Sequence, residues 1–156
     1  MLSVLIWLPI AGALLISFLP NRISGPTYRN AALAIASFLF LWTLWLLAQF
    51  NLGTAALQMQ EYLPWIQALG LSYSLGVDGL SLPLIALTNL LTIVALLAGN
   101  LTRSTALPLT RPRLFFALVL LINAGMAGAL TAQNLLLFFL FYELELIPFY
   151  LMIVIW

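Results

Sequence analysis

LLLFFLFYELELIPFYLMIVIW, running from Leu135 to Trp156, is an apolar stretch interrupted only by two carboxylates, Glu143 and Glu145. As a helix it is long enough to cross a hydrocarbon core of roughly 30 Å, which takes about 20 residues. A carboxylate near the middle of such a span costs on the order of 3 kcal/mol on insertion scales, so intramembrane acids usually face a partner, a cavity or a proton path. The stretch therefore sets the fold class and names the first candidates for function.

The rest of the composition agrees. Hydrophobic residues make up 65% of the 156 positions and charged ones 6%, and the mean hydropathy is +1.17. Soluble domains carry charge on about a quarter of their residues. We read an all-α integral membrane protein forming one domain over residues 1–156. The five basic residues are all arginine and the net charge is +1, which gives no footprint for nucleic acid. Cys and His are absent, so this chain supplies no disulfide, no zinc site and no thiolate or imidazole ligand for an iron-sulfur cluster or haem. Any electron transfer is expected on other subunits.

About five spans can be marked: Leu2 to Leu19, Asn30 to Phe50, Leu80 to Leu101, Leu114 to Leu130 and Asn134 to Trp156. The first has no basic residue ahead of it, so it reads as a retained helix and not as a signal peptide. Pro9 is expected to kink it. Arg22 and Arg29 fall in the first loop and Arg103, Arg111 and Arg113 in the third. Positive charge marks the cytoplasmic or stromal side, which places the N-terminus and the second and fourth loops on the lumenal or periplasmic side. The last span reaches Trp156 without a cap or polar tail, so we expect a longer polypeptide or a separate chain to continue it.

The second loop, Asn51 to Gly79, carries Tyr62, Trp65 and Tyr73, which suit an interfacial belt. Within it Leu71, Tyr73, Leu75 and Val77 alternate with Ser72, Ser74 and Gly76, the period of a short half-buried strand. A small extended or hairpin element is expected there. Asp78 is placed to cap the third helix, with Pro83 in its first turn.

Glu143 lies nine residues beyond Asn134, about 14 Å along a helix and so near the bilayer midplane. Glu145 follows two positions later, about 200° around the helix, so the two carboxylates do not share a face. Pro148 cannot donate to the Leu144 carbonyl, and a freed carbonyl in a membrane helix is tolerated where water or a neighbour satisfies it. A hydrated helix with a central carboxylate has the ingredients of a proton relay. The plainer alternative is a glutamate that hydrogen-bonds a neighbouring helix and holds the bundle together; we favour function for Glu143 and leave Glu145 open. Asn123, with Ala124 and Gly128, reads as close helix packing with an interhelical hydrogen bond.

Two motifs carry a family resemblance. Gly76-Val77-Asp78-Gly79-Leu80-Ser81 before one helix and Phe141-Tyr142-Glu143-Leu144-Glu145-Leu146-Ile147-Pro148 two helices later resemble chain 4 of the complex I-type NAD(P)H-quinone oxidoreductases, in its cyanobacterial and plastid branch. The resemblance covers the whole chain but only the N-terminal portion of a family member. It implies an antiporter-like, proton-translocating membrane-arm subunit in which the family's functional glutamate falls on Glu143, while Glu145 has no such standing. The discontinuous helices and the intramembrane lysine with which that glutamate works lie beyond this portion, which alone should not pump. Quinone, iron-sulfur clusters and the electron donor are implied on other subunits, and other membrane-arm subunits as partners. The implied location is a thylakoid membrane or, alternatively, a bacterial inner membrane. A subunit of a multi-subunit sodium/proton antiporter, a noncatalytic scaffold of a membrane arm and a form coupled to inorganic carbon uptake are the competing readings.

Overall fold

A computed structural model describes residues 1–18, 25–54, 56–66, 70–101 and 111–156. Five helices alternate in direction: α1 (Ser3–Phe18), α2 (Gly25–Gln49), α3 (Ser81–Leu101), α4 (Pro112–Thr131) and α5 (Leu135–Ile155). Between α2 and α3 stands an antiparallel hairpin, β1 (Gln58–Ile66) and β2 (Leu71–Val77). The helical membrane fold and its extended insertion are as the sequence predicts. Helices α2 to α5 are each long and apolar enough to cross a bilayer. The 16 residues of α1 cover only about 24 Å, and Leu19, the expected end of that span, lies outside the described residues.

Two helices start earlier than expected. Helix α2 begins at Gly25, not near Asn30, and α4 at Pro112, not at Leu114. Pro26 and Pro112 explain the difference, because proline in a first helical turn has its φ already set and gives up an amide that has no intrahelical acceptor there. Arg29 and Arg113 consequently sit on helices and not in loops. Arg22 and Arg103 lie outside the described residues. Helices α1 and α5 run unbroken through Pro9 and Pro148.

Helix α4 is the centre of the bundle. It packs against α5 and α1 most extensively and also touches α3 and α2, and 61% of its span is buried against 11% of α5. One apolar cluster at the hairpin end joins Leu5, Leu39, Leu75, Ile85 and Phe141. A second, at the opposite end, joins Ile16, Tyr28, Leu96, Phe116 and Leu120. At about 25 cal/mol per Å² of apolar area, such contacts hold a soluble bundle together; in lipid the driving force shifts to close packing and buried hydrogen bonds.

The hairpin locks onto the helix ends around it. In β2, Leu71, Leu75 and Val77 are buried as the alternation predicts, while Tyr73 is half-buried and turns its hydroxyl to Ser3 Oγ (3.0 Å). Its partner strand β1 was not foreseen as a strand. Pro64 and a largely exposed set of side chains mask it, and its pairing is irregular on both flanks of the 61–64 stretch. The Gln133 amide donates to Ser74 O (2.8 Å) and Asn134 Nδ2 to Gly70 O (2.9 Å). The α1 start, the hairpin and the α4–α5 link thus gather at one end of the bundle.

Candidate functional site

Helix α5 is started by Asn134, whose side chain accepts from the Leu136 and Leu137 amides at 3.0 and 3.2 Å. From that cap the helix lays Leu137, Phe141, Glu145, Pro148 and Met152 toward α4 at helical spacing. Leu137, Phe141 and Pro148 are buried; Glu145 and Met152 are partly so. Two glycines of α4 permit this approach. A Cβ at Gly128 would lie 2.4 Å from the Phe141 ring, and one at Gly125 would lie 2.8 Å from Glu145 Cβ and 3.1 Å from its Cα. The 2.4 and 2.8 Å separations are shorter than a carbon contact allows.

The two carboxylates part company as the 200° separation predicts. Within this bundle it is Glu145 that lies on the inward stripe, against Gly125. Glu143 is exposed on the opposite side, flanked by the exposed Tyr142, Leu146 and Ile147. Neither carboxylate has a hydrogen bond or ion pair among the described residues. Between α3, α4 and α5 a cavity of about 430 Å³ opens, apolar over most of its wall, with Thr92 and Asn123 among its lining and Phe149, Met152 and Ile153 contributed by α5.

The acids outside the spans behave differently. Asp78 Oδ1 accepts from the Leu80 and Ser81 amides at 3.0 and 2.7 Å, and Ser81 Oγ accepts from the Asp78 amide at 3.0 Å. This is the expected cap of α3, and the Ser81 and Leu80 amides hold its carboxyl below the usual range. Glu61 of β1 caps α1 across the fold, which sequence reasoning missed. It accepts from the Met1 nitrogen, the Leu2 amide (2.6 Å), the Ser3 amide (3.3 Å) and the Ser3 hydroxyl. Partial burial alone would raise its pKa; the bonds from Met1, Ser3 and Leu2 outweigh that and hold it below the usual carboxylate value. An acid at a helix start is favoured by the unpaired amides and the dipole, but nothing local signals a contact 58 or more positions away.

Asn123 makes the interhelical bonds expected of it, in wider company. It is 1% exposed, donates to Asn89 Oδ1 of α3 at 3.0 Å and accepts from Thr92 Oγ1 at 3.1 Å. Asn89 donates in turn to Thr43 Oγ1 of α2 at 2.8 Å. The findable signal was Asn89 and Thr92, three apart in a largely apolar span and so on one face of α3.

Comparison with known proteins places this arrangement. Residues 28–127 match the family model for the amino terminus of NADH-ubiquinone oxidoreductase chain 4. The chain is 41% identical over 156 residues to NAD(P)H-quinone oxidoreductase chain 4 of Prochlorococcus marinus strain MIT 9515, covering 99% of this chain and 28% of that protein. Its likeness to the same-named protein of Prochlorococcus marinus strain NATL2A is 42% over 157 residues, 99% of this chain and 28% of that one. For Synechococcus sp. strain WH7803 it is 41% over 157 residues, 99% and 27%. The chain thus spans little more than a quarter of the length of these relatives. With the family model matching well over half of its residues, this chain belongs to the NADH-ubiquinone oxidoreductase chain 4 family.

Proposed function

We propose that this chain forms N-terminal helices of a proton-translocating membrane-arm subunit of a type-I NAD(P)H- or ferredoxin-quinone oxidoreductase, and that Glu143 handles the proton. The observation that carries the reading is the position of Glu143, midway along an apolar helix, exposed on the face turned away from α4 and without a partner among the described residues. Left against lipid, that carboxylate would cost on the order of 3 kcal/mol. The face is therefore reserved for a polar or cationic group from outside the described residues. A cation brought to that face favours the ionised carboxylate, and its withdrawal favours the protonated one. Carrying one proton against 100 mV takes about 2.3 kcal/mol, the same order as the cost of leaving the acid unpartnered. Glu145, held between α4 and α5, has the lesser role of fixing helix contact.

Redox centres, quinone and the electron donor belong to other subunits in this reading, and neighbouring membrane-arm subunits are the partners. The arginine-bearing ends face the stroma or cytoplasm, and the hairpin faces the lumen or periplasm of a thylakoid membrane or a bacterial inner membrane. Gathering the hairpin, the α1 start and the α4–α5 link at one end, with Arg111 and Arg113 at the other, supports this orientation. The test is quinone-dependent acidification of sealed vesicles holding the complete complex. Glu143→Gln should lower acidification at least 10-fold with assembly unchanged. Acidification that requires sodium and no quinone would overturn the reading in favour of cation/proton exchange.

A further inference from the structure

Four buried polar side chains of α2, α3 and α4 form a line that ends on a backbone carbonyl at each side. It runs Leu39 O, Thr43 Oγ1, the Asn89 amide, the Asn123 amide, Thr92 Oγ1, Thr88 O, with successive separations of 2.8, 2.8, 3.0, 3.1 and 2.9 Å. Asn89 Nδ2 also reaches Leu39 O directly, at the longer distance of 3.5 Å. The four side chains are between 0% and 8% exposed. Each threonine hydroxyl has one proton to give. Each asparagine turns an N–H to one neighbour in the line and its carbonyl oxygen to the other. Four protons therefore serve five contacts, and one contact is always without.

Two arrangements satisfy the count. In the first, bonds run from Thr92 to Asn123 to Asn89 to Thr43 to Leu39 O, and the contact between Thr92 and Thr88 O has no proton. Turning both amides by half a turn reverses every bond. Thr43 then donates to Asn89, Asn89 to Asn123, Asn123 to Thr92 and Thr92 to Thr88 O, and the empty contact moves to Leu39 O. Amide oxygen and nitrogen are almost the same size, so both arrangements have the same outline and the same packing. Turning one amide alone would set two carbonyl oxygens or two N–H groups face to face, at the full cost of unmade bonds in a buried place. The two amides consequently turn together.

We propose that Thr43, Asn89, Asn123 and Thr92 form a two-state hydrogen-bond switch across three membrane helices. Its reversal carries the empty contact from α3 to α2 and inverts the dipole of the line, with no backbone shift and no change of ionisation. Thr88, Thr92 and Asn123 also line the cavity to which Phe149, Met152 and Ile153 of the acid-bearing α5 contribute, so one end of the line opens toward that helix.

Removing one end hydroxyl leaves only one direction that keeps three bonds of 3.1 Å or less. Thr92→Val keeps the three bonds that run toward Leu39 O, and Thr43→Val keeps the three that run toward Thr88 O. The experiment is solid-state NMR on the complete complex in bilayers, with 13C,15N-labelled asparagine, reading which amide nitrogen donates across the Asn89–Asn123 contact. Thr92→Val should show Asn123 as donor and Thr43→Val should show Asn89. Wild type should show both signal sets, or shifts between the two variants. The same donor in both variants would overturn the proposal, as would a single direction in wild type, a result that needs no variant to assemble.

Discussion

The four acids of this chain divide into two pairs that live under opposite rules. At the hairpin end, Glu61 and Asp78 each accept several hydrogen bonds from helix-start amides, and their carboxyls are held below the ordinary range by those bonds. In the middle of α5, Glu143 and Glu145 accept none among the described residues. Water can solvate an acid at the membrane surface, so fixing it to an amide is a choice of structure. Within the span no such solvent exists, and an acid without a partner has meaning only if something else meets it. The first pair thus builds this portion through hydrogen bonds, while the second has no such bond among the described residues.

That contrast can be strained from the α4–α5 side first. Gly128→Ala should cost about 2 kcal/mol, because the added methyl meets the buried Phe141 ring, whose neighbours leave it little room. Thermal unfolding of the complete subunit in detergent would check this; a change within error would show that α5 is loosely seated and that the position of Glu143 is not fixed by α4. Next in size, Asn123→Leu should cost about 1.5 kcal/mol, since it strands Asn89 and Thr92 in a buried place. The same unfolding measurement reads it, and an increase in stability would mean that the polar line is tolerated and not structural.

The partnered acids give smaller effects with a defined sign. Glu61→Gln should loosen the hairpin by about 1 kcal/mol, seen as faster amide exchange over residues 58–66. Because the folded pKa of Glu61 lies below its unfolded value, its contribution is complete above the ordinary carboxylate value of 4.5 and is lost as pH falls through the lower folded value. Exchange in that segment should accordingly be flat from neutral pH to about pH 5, once intrinsic rates are removed, and rise only in stronger acid. A rise already near pH 6 would contradict the assignment. Asp78→Ala should cost the least, about 0.5–1 kcal/mol as a surface helix cap, with fraying confined to the first turn of α3.

What the sequence made legible follows from range. Apolar length located all five helices, with starts displaced where Pro26 and Pro112 open the helix ahead of the apolar run. Angular arithmetic separated Glu143 from Glu145 correctly, yet it gave no sign of which faced inward. That was decided by Gly125 and Gly128 of α4, because only a glycine surface admits the α5 backbone so closely. The Asp78 cap was readable since its partners are two and three residues away. Glu61 on α1 and Thr43 with Asn89 were not, as their contacts join positions that only the fold brings together.

The central claim is that Glu143, turned outward and without a partner among the described residues, moves protons while Glu145 holds a helix contact. The most direct measurement is the number of protons translocated per quinone reduced, in sealed vesicles of complete complex carrying Glu143→Gln or Glu145→Gln, each normalised to assembled complex. The account predicts a ratio near zero for Glu143→Gln and an unchanged ratio for Glu145→Gln. An unchanged ratio in Glu143→Gln, or loss in Glu145→Gln alone, would contradict it.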